Sequence, residues 1–582
     1  MRCKSVPPNA VTFISSLKAC RDRGAVDQGR EIHAEVCMNG ALDGHGDGDD
    51  NDDLLGNTLL DMYAKFGLLQ DAQYVFVKLP VKNTISFNTL IVGYIRCGHG
   101  EEALKCFESM QSNGLCPSMV SYACTLKACG MAELADNGRK LHTDIFIKGL
   151  ETDIFVGNSL VFMYGNCGML MDAQKVFDTL KLQDVVSWNA LMGGYAKHGH
   201  AKDALECFGK VQCNGIIPDF VTFLCALKAC KEMVTSIEGI GIHMEILKRA
   251  LDNDILIGST LVDLYVSHGL FVEAHQVFEK LPRRNIVTWN VIIAGYTKHE
   301  LGEQAIDCFN QMQHEGVSAN IVTFICVLKA CGSIGAGNQG SDIHAQIYKE
   351  GLLVGDIMIE NALIYMYAKH GNVKEAEYLF LKSKNLDVVS YGTMILGYVQ
   401  HGHNLCALRL FAKMQNEGTI SNRYIFSCTL KACGNMKSLE QGRLLHGEIT
   451  KYGFESCVAV GSALVDMYIK CECLSEAIET FETLPSRNDV SWSVMILGCA
   501  QHDRGLLCFD FFDRMVKDDV MATSVTFLGI LKACVTLGSL EDGRLIHAQV
   551  LESGFEQNVP IGSALVDMYA KCQSIEDARK SF

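Results

Sequence analysis

The sequence repeats itself with a period of about 101 residues, and this period constrains the fold more than any other feature. Tyrosine recurs at positions 63, 164, 265, 367, 468 and 569, and the tetrapeptide Leu-Lys-Ala-Cys ends at Cys20, Cys129, Cys230, Cys331, Cys433 and Cys534. A third series is aromatic, at Phe87, Trp188, Trp289, Tyr391 and Trp492. A chain that repeats on a fixed period stacks one structural unit on copies of itself. The 582 residues therefore predict one elongated array with a continuous core.

Each period divides into three modules of two helices each, which we call short, standard and long modules. Counted from residue 154, they run Ile154–Asp184 (31 residues), Val185–Asp219 (35 residues) and Phe220–Asp254 (35 residues). Applied to the whole chain, this phase predicts 17 modules over residues 10–582, the last one truncated, after a remnant of residues 1–9. The first module is lengthened by the acidic insert 41–53, whose Gly and Asp content predicts a solvated loop.

Helix boundaries follow from the glycines and the apolar spacing of the standard module that begins at Val185. Its first helix is predicted over residues 187–197 and its second over residues 201–212, each ended by a glycine, which accepts the left-handed cap conformation. The second helix carries a small residue and a large aromatic residue four positions apart, Ala204 and Phe208, and other modules repeat the pair. We expect the small residue to let the two helices approach, and the aromatic residue to fill the gap to the neighbouring module.

Composition argues against a membrane protein and limits the choice of ligand. No run approaches the roughly 20 apolar residues that a membrane span needs. The formal charge of −16 argues against a generic polyanion binder. A nucleic-acid ligand would therefore need a locally basic or neutral groove, with contacts to bases as well as to phosphates. The 26 cysteines include no Cys-x-x-Cys and often recur at repeat positions, which indicates small core residues in a reducing compartment.

Three recurring segments carry a family resemblance. They are Val-Val-Ser-Trp-Asn-Ala-Leu-Met-Gly-Gly-Tyr (185–195), Asp-Met-Tyr-Ala-Lys-Cys (567–572), and Val-Thr-Phe (221–223) with Leu-Lys-Ala-Cys (227–230). Tetratricopeptide repeats are also two-helix units, of about 34 residues, but these segments resemble pentatricopeptide repeats. The alternation of 31, 35 and 35–36 residues is similar to the plant PLS subclass, which mixes short, standard and long motifs. The resemblance covers residues 10–582 and implies an all-α, right-handed superhelical solenoid of helix-turn-helix repeats with a concave groove.

Two small or polar positions recur in each standard and short module, the fifth residue and the last residue. The fifth residue is Asn or Ser in all but one of these modules, and the last is Asn, Asp, Ser or Thr. One explanation is helix capping, because Asp or Asn just before a helix is a good N-cap. The other is base reading, in which two side chains of a module select one RNA base. Capping alone does not explain why the fifth residue is never large or charged in eleven modules.

In the resembled family this pair of residues selects the base: Asn with Asp favours U, Asn with Asn or Ser favours C, and Ser with Asn favours A. Carried over to this sequence, the base-reading pairs are Asn57 with Asn83, Asn88 with Ser118, Asn158 with Asp184, Asn189 with Asp219, Ser259 with Asn285, Asn290 with Asn320, Asn361 with Asp387, and Ser462 with Asn488. They imply a single-stranded site CC-n-UU-n-AC-n-U-r-n-A, written 5′ to 3′, where n is unread and r is a purine. Gly392 with Asn422 and Ser493 with Thr523 depart from the family pattern. The fifth residue of the long modules is mostly apolar, so we expect these modules to space rather than to read.

The second residue of each standard module is apolar. These residues are Ile85, Val186, Val287, Val389 and Val490. In the family such residues flank the bases and hold them between neighbouring modules, which makes them base-flanking residues by resemblance. Simple packing at the start of the helix is the alternative explanation.

A metal-binding motif is present only in part and is not interpreted as a site. His33-Ala34-Glu35 matches half of a zinc deaminase motif. Histidines 33, 142, 243, 344, 446 and 547, however, form one repeat position in the second helix of each long module, and no Pro-Cys-x-x-Cys follows. The remaining zinc ligands are therefore missing. No metal, cofactor or catalytic residue is predicted.

The predicted function is sequence-specific binding of single-stranded RNA. By resemblance, proteins of the PLS subclass act in plant mitochondria or chloroplasts, where most specify C-to-U editing, often with a C-terminal E/DYW extension that supplies a deaminase. This sequence lacks such an extension and shows no transit peptide before the first repeat. We therefore expect no enzyme activity, with any deaminase in a missing domain or supplied in trans with other editing factors. RNA stabilisation or processing stays open, as does a tetratricopeptide-like protein scaffold, which the negative charge supports.

Overall fold

Helices are the only regular structure in residues 8–38, 50–233, 236–352, 356–555 and 557–581, the part of the chain that the computed structural model describes. The chain divides into two units, Met1–Ile292 and Ile293–Phe582. The helices of the first unit, the last of which contains the division, are α1 (Ala10–Arg23), α2 (Val26–Met38), α3 (Asp50–Lys65), α4 (Leu69–Lys78), α5 (Thr84–Arg96), α6 (Gly100–Ser112), α7 (Met119–Met131), α8 (Ala135–Ile147), α9 (Ile154–Asn166), α10 (Leu170–Thr179), α11 (Val185–Lys197), α12 (Ala201–Cys213), α13 (Phe220–Lys231), α14 (Ile237–Lys248), α15 (Ile255–Ser267), α16 (Phe271–Lys280) and α17 (Ile286–Lys298). Those of the second unit are α18 (Gly302–His314), α19 (Ile321–Ile334), α20 (Gly337–Lys349), α21 (Ile357–His370), α22 (Val373–Lys382), α23 (Val388–Gln400), α24 (Asn404–Asn416), α25 (Arg423–Asn435), α26 (Leu439–Lys451), α27 (Val458–Lys470), α28 (Leu474–Glu482), α29 (Asp489–Gln501), α30 (Gly505–Lys517), α31 (Ser524–Leu537), α32 (Leu540–Glu552), α33 (Val559–Lys571) and α34 (Ile575–Ser581).

Within each unit, the odd-numbered helices pack against one another in chain order. In the first unit α7 contacts α9 and α9 contacts α11; in the second, α25 contacts α27 and α27 contacts α29. The even-numbered helices lie against this layer, and α12, for example, contacts both α11 and α13. These are the contacts of stacked helix hairpins, in which each repeat touches its neighbours along the chain. The predicted all-α solenoid class is confirmed, and the division into 17 modules stays a prediction.

Aromatic residues join many of the even-numbered helices to the odd-numbered helix that follows. Phe177 of α10 meets Trp188 of α11 with ring centroids 4.6 Å apart in an edge-to-face arrangement. In the next hairpin Phe208 of α12 meets Phe223 of α13 at 5.9 Å. Ala204, one turn before Phe208, is fully buried. The predicted role of the small and aromatic pair, close approach plus filling of the gap to the next module, is confirmed.

Helix boundaries in the module from Val185 are close to those predicted. α11 begins two residues earlier than expected, because Asp184 caps it: the Ser187 N–H donates to Asp184 Oδ1 at 2.9 Å. α12 ends at Cys213, one residue later than predicted. Gly199 and Gly215 have φ of +77° and +69°, so both glycines take the left-handed conformation that the sequence predicted.

The histidine and tyrosine series of the sequence meet in the structure. Each long-module histidine lies on an even-numbered helix, and its Nδ1 is within hydrogen-bond distance of the tyrosine hydroxyl of the next odd-numbered helix, at 2.7 Å for His243 and Tyr265. The six pairs are His33–Tyr63, His142–Tyr164, His243–Tyr265, His344–Tyr367, His446–Tyr468 and His547–Tyr569. Burial lowers the pKa of four of these histidines, His33, His243, His344 and His446. The series therefore ties each long module to the next short module, and burial favours the neutral imidazole at these four positions.

The cysteine interpretation is confirmed in part. All six cysteines of the Leu-Lys-Ala-Cys segments are buried. The cysteines of the described part of the chain are free thiols, and four of them, Cys37, Cys116, Cys213 and Cys406, are exposed. The core role therefore holds for the repeat position and not for every cysteine.

The acidic insert is partly different from the prediction. Residues 41–49 lie outside the described part of the chain, but residues 50–53 are helical, since α3 begins at Asp50. Asp53 stands in the first turn of α3, where the helix dipole favours a carboxylate. The predicted loop over 41–53 is therefore wrong for its last four residues.

None of the helices in the described ranges is both long enough and apolar enough to cross a bilayer.

Candidate nucleic-acid interface

The last residue of each predicted reading pair is the N-cap of the following odd-numbered helix. Asp219, for example, accepts from the Thr222 N–H at 2.9 Å, and the Thr222 hydroxyl closes a capping box by accepting from the Asp219 N–H. The helices capped in this way are α5 by Asn83, α7 by Ser118, α11 by Asp184, α13 by Asp219, α17 by Asn285, α19 by Asn320, α23 by Asp387 and α29 by Asn488. The capping explanation is thus correct for the last residue, and it applies to Asp and Asn alike.

In the three Asn–Asp reading pairs, the fifth residue bonds to the last residue of the same module, although they are separated by 26 to 30 positions. Asn189 Nδ2 donates to Asp219 Oδ1 at 2.9 Å. The equivalent amide bonds, Asn158 to Asp184 and Asn361 to Asp387, are both 3.2 Å. Each of these pairs is therefore one spatial unit, formed where the first turns of two successive odd-numbered helices meet.

Serine at the fifth position bonds differently. Ser259 donates to the carbonyl of Ile255 at 2.6 Å and lies 2.9 Å from the Thr288 hydroxyl on α17, which Asn285 caps. Ser462 donates to the carbonyl of Val458 at 2.8 Å. Neither serine bonds to the last residue of its module among the described residues, whereas Ser493 lies 2.9 Å from the hydroxyl of Thr523, the last residue of its own module.

The fifth residues are more buried than freely accessible base-reading residues would be. Asn189 is only 9% exposed and also accepts from the Thr222 hydroxyl at 2.8 Å. Ser259 and Ser462 are buried as well, and the remaining fifth residues, Asn57, Asn88, Asn158, Asn290 and Asn361, are half-buried. Access to these groups therefore depends on the shape of the surface around them.

Two open clefts in the first unit give that access. Cleft A, of about 580 Å³, lies along α9, α11 and α13 and is lined by Asn158, Asp184, Asn189 and Asp219, which are two adjacent predicted reading pairs. Cleft B, of about 500 Å³, lies along α3, α5 and α7 and is lined by Asn88 and Ser118, a third pair. The predicted residues of neighbouring modules thus open onto common surfaces.

Four of the fifth-position asparagines hold an amide oxygen that is buried without a hydrogen-bond partner among the described residues. They are Asn57, Asn88, Asn158 and Asn361. A buried acceptor left unpaired costs about 1–3 kcal/mol, and such groups are rare in folded proteins. Asn189 differs from these four, because its oxygen accepts from the Thr222 hydroxyl.

Apolar second residues are exposed beside the reading pairs. The five predicted from the standard modules, Ile85, Val186, Val287, Val389 and Val490, are all more than half exposed. Val186 lines cleft A and Ile85 lines cleft B. The sequence analysis missed the same position in other modules: Phe155 of a short module and Val221 of a long module also line cleft A. The sequence signal that identifies them is the apolar second residue, which recurs in the short and long modules as well as in the standard ones.

The carboxylates of Asp219 and Asp387 are kept ionised by their hydrogen bonds. Burial raises the pKa of Asp219, but the bonds donated by the Thr222 backbone and by the Asn189 amide outweigh it, so the pKa falls below its usual range. The pKa of Asp387 is lowered by the same balance, with Ser390 and Asn361 as donors. An ionised aspartate can only accept hydrogen bonds, whereas asparagine both donates and accepts.

Metal ligation was tested on the described residues. In the stretches 8–38, 50–233, 236–352, 356–555 and 557–581, there is no cluster of three His, Cys, Asp or Glu side chains that would hold a metal ion. His33 instead bonds to Tyr63 at 2.9 Å, as its repeat position requires.

Comparison with known proteins places the chain in a family. A model of the PPR repeat family matches residues 82–131, 183–232 and 284–333, and a PPR repeat model matches residues 57–83, 259–286, 361–388, 389–419 and 490–520. The pentatricopeptide repeat-containing protein At4g18520, chloroplastic, of Arabidopsis thaliana is 33% identical over 84% of this chain and 79% of its own length. The protein belongs to the pentatricopeptide repeat family.

Other relatives are longer. The chain spans 64% of the length of the pentatricopeptide repeat-containing protein At1g15510, chloroplastic, of Arabidopsis thaliana, with 28% identity over 98% of this chain. It spans 62% of At3g09040, mitochondrial, from the same plant, with 30% identity over 99% of this chain. Among solved structures, the maize pentatricopeptide repeat protein PPR10 matches over 98% of this chain and 92% of its own, with a TM-score of 0.57 and 16% identity. At that identity the likeness supports the fold.

Proposed function

We propose that this protein binds single-stranded RNA sequence-specifically, with one base selected by each short or standard module. The observation that carries the proposal is cleft A, where two adjacent fifth-and-last pairs open onto one surface beside exposed apolar side chains. Amide and carboxylate groups that differ from module to module provide the hydrogen bonds for a base edge. The apolar second residues provide faces against which bases pack. Such a surface recognises bases rather than charge, which is consistent with the net charge of −16.

The fifth-position asparagines also favour a ligand. Their buried amide oxygens lack partners within the described residues, and asparagine is a weak helix former. A polar residue with unused hydrogen-bonding capacity at the same place in several modules is consistent with a ligand-binding role. The solved structure of PPR10 with an 18-nt psaJ RNA element provides a fold-level parallel, with 17% identity to this chain.

Within this proposal the target is an organellar transcript, and the bound RNA is marked for C-to-U editing. Relatives carry the labels chloroplastic and mitochondrial. The module lengths are similar to those of the PLS subclass, whose members mostly act in editing, with the deaminase supplied by a further domain or by a partner. Deep sequencing of organellar transcripts from plants with and without the gene tests this step. Loss of editing at one cytidine supports it, and a change in transcript ends or abundance with editing intact favours the stabilising role instead.

Fluorescence anisotropy tests RNA binding itself. The purified chain is titrated into labelled CC-n-UU-n-AC-n-U-r-n-A RNA and into a scrambled RNA of the same composition. We expect the predicted RNA to bind at least tenfold more tightly, since each selected base contributes about 1–3 kcal/mol. Equal affinity for the two RNAs contradicts the proposed base code.

A further inference from the structure

The lysine of each Leu-Lys-Ala-Cys segment is exposed and has no salt bridge to another described residue. The six residues, which we call the long-module lysines, are Lys18, Lys127, Lys228, Lys329, Lys431 and Lys532. Each lies on the first helix of a long module, and each is exposed. In the described part of the chain none of the six has a salt bridge within 4.0 Å, in contrast to Lys197, which bonds to Glu133 at 2.7 Å.

Lys127 shows where this helix position lies in the first unit. Each long-module lysine is the ninth residue of its module, one turn after the fifth residue and on the same helix face. Lys127 lines cleft A, together with Phe162 and Gly193, the ninth residues of the next two modules. Asp61 and Val92, also ninth residues, line cleft B. Ninth residues of all three module types thus lie on the surface that holds the reading pairs, and only the long modules place lysine there.

Nearby carboxylates do not neutralise the long-module lysines. Four of the six short modules have aspartate at the ninth position, on the helix that packs next to each long module. Each of these aspartates already has a cationic partner: Asp61 pairs with Arg21 at 2.6 Å, Asp263 with Lys231 at 2.7 Å, Asp466 with Lys470 at 2.7 Å, and Asp567 with Lys571 at 2.8 Å. The charge of these four aspartates is therefore compensated by their own partners rather than by the long-module lysines.

We propose that the long modules contact RNA through its phosphates, each supplying one lysine at the ninth position, while the short and standard modules select bases. The proposal rests on the proposed RNA binding. With one nucleotide per module, the lysines meet every third phosphate. A lysine ammonium is a point charge with three donors, which suits a phosphate and reads no base. The long modules thereby acquire a role beyond spacing, because the lysine one turn after the apolar fifth residue makes the contact with the RNA phosphate.

Salt dependence measures this contact directly. For single strands the slope of log Kobs against log salt concentration is about −0.7 for each phosphate that is neutralised. Replacing all six lysines by glutamine should make the slope about 4 units less steep, and replacing Lys127 alone should change it by about 0.7. Between 50 and 200 mM salt, the natural chain should then lose roughly 300-fold more affinity than the sixfold variant.

A matched control removes the same charge elsewhere. Six other exposed lysines without a salt bridge lie on even-numbered helices: Lys105, Lys140, Lys202, Lys349, Lys374 and Lys451. Their sixfold replacement by glutamine changes the net charge equally, and we expect it to leave the salt slope close to that of the natural chain. Thermal melts of both sixfold variants establish that they fold, as expected for unpaired surface residues.

The outcomes separate this proposal from RNA binding itself. If the natural chain does not distinguish the predicted RNA from its scrambled form, the base code fails first. If it does, and the long-module variant loses slope while keeping the ratio of matched to scrambled affinity, the phosphate contact is supported. An unchanged slope, an equal loss of slope in the control variant, or a collapse of the affinity ratio overturns it.

Discussion

Replacing Asp219 by asparagine separates base selection from helix capping. Asp219 Oδ1 accepts hydrogen bonds from the Thr222 N–H at 2.9 Å and from Asn189 Nδ2 at 2.9 Å, and it lies 2.8 Å from the Thr222 hydroxyl, whose one proton is shared between Asp219 Oδ1 and Asn189 Oδ1. An asparagine in the same rotamer keeps an oxygen in that place, and Asn and Asp are equivalent N-caps. We therefore expect the melting temperature of Asp219→Asn to be unchanged.

Base preference, in contrast, should change. Asn189 paired with asparagine is the combination that favours C in the resembled family, so the fifth base of the predicted site should switch from U to C. The preference should amount to about 1–3 kcal/mol, which is roughly a 5- to 150-fold ratio of affinities. Anisotropy titrations with four RNAs that differ only at this base measure the ratio.

Two further variants make the test decisive. Asp219→Ala removes the cap at a cost of about 0.5–2 kcal/mol and leaves the buried Asn189 amide without its acceptor, for about 1–3 kcal/mol more. Asp254→Asn is the matched control, because Asp254 caps α15 through the N–H groups of Leu256 and Ile257 but ends a long module that is not predicted to read. Persistence of the U preference in Asp219→Asn, or an equal shift in Asp254→Asn, would refute the reasoning.

Three other expectations concern the stability of the fold. Burial holds the pKa of four long-module histidines below the ordinary value of 6.5, so the unfolded chain binds more protons than the folded chain. The contribution of these histidines to the free energy of unfolding should therefore be complete above about pH 6.5 and decrease as the pH falls. Thermal melts in which histidine-to-glutamine variants are as sensitive to acid as the natural chain would contradict this. A Cβ on Gly194 would lie 2.7 Å from the Gly165 backbone, so Gly194→Val should destabilise the fold by about 1–3 kcal/mol. Gly209 has open space around it, so Gly209→Ala should stabilise the fold by about 0.5–1 kcal/mol. Similar denaturation midpoints for the two variants would be inconsistent with the packing. Phe177→Ala should cost about 3–5 kcal/mol by removing the ring that meets Trp188, detected as faster amide exchange in α10 and α11, and unchanged exchange would show that the contact contributes little.

The fold class and the capping residues could be predicted because both depend on local sequence. Aspartate or asparagine before an apolar helical segment caps it through a contact three residues away, as Asp184 does for Ser187. The start of α11 was nevertheless placed two residues late, because the cap lies directly before Val185 and apolar spacing alone does not mark it. The helical residues 50–53 were missed for a related reason, since a run of aspartates has the composition of a loop and also suits a helix N-terminus.

Contacts between modules were beyond the reach of the sequence. The repeat period alone establishes that hairpins of helices stack in chain order, that the second helices carry the aromatic residues that join neighbours, and that polar pairs recur. Tertiary packing decided that Asn189 meets Asp219 in a partly closed site, that six histidines bond to six tyrosines, and that Lys127 shares a cleft with the reading pairs. The physical reason is that periodicity records which residues occupy equivalent environments, whereas the angle and separation of packed helices determine which side chains meet.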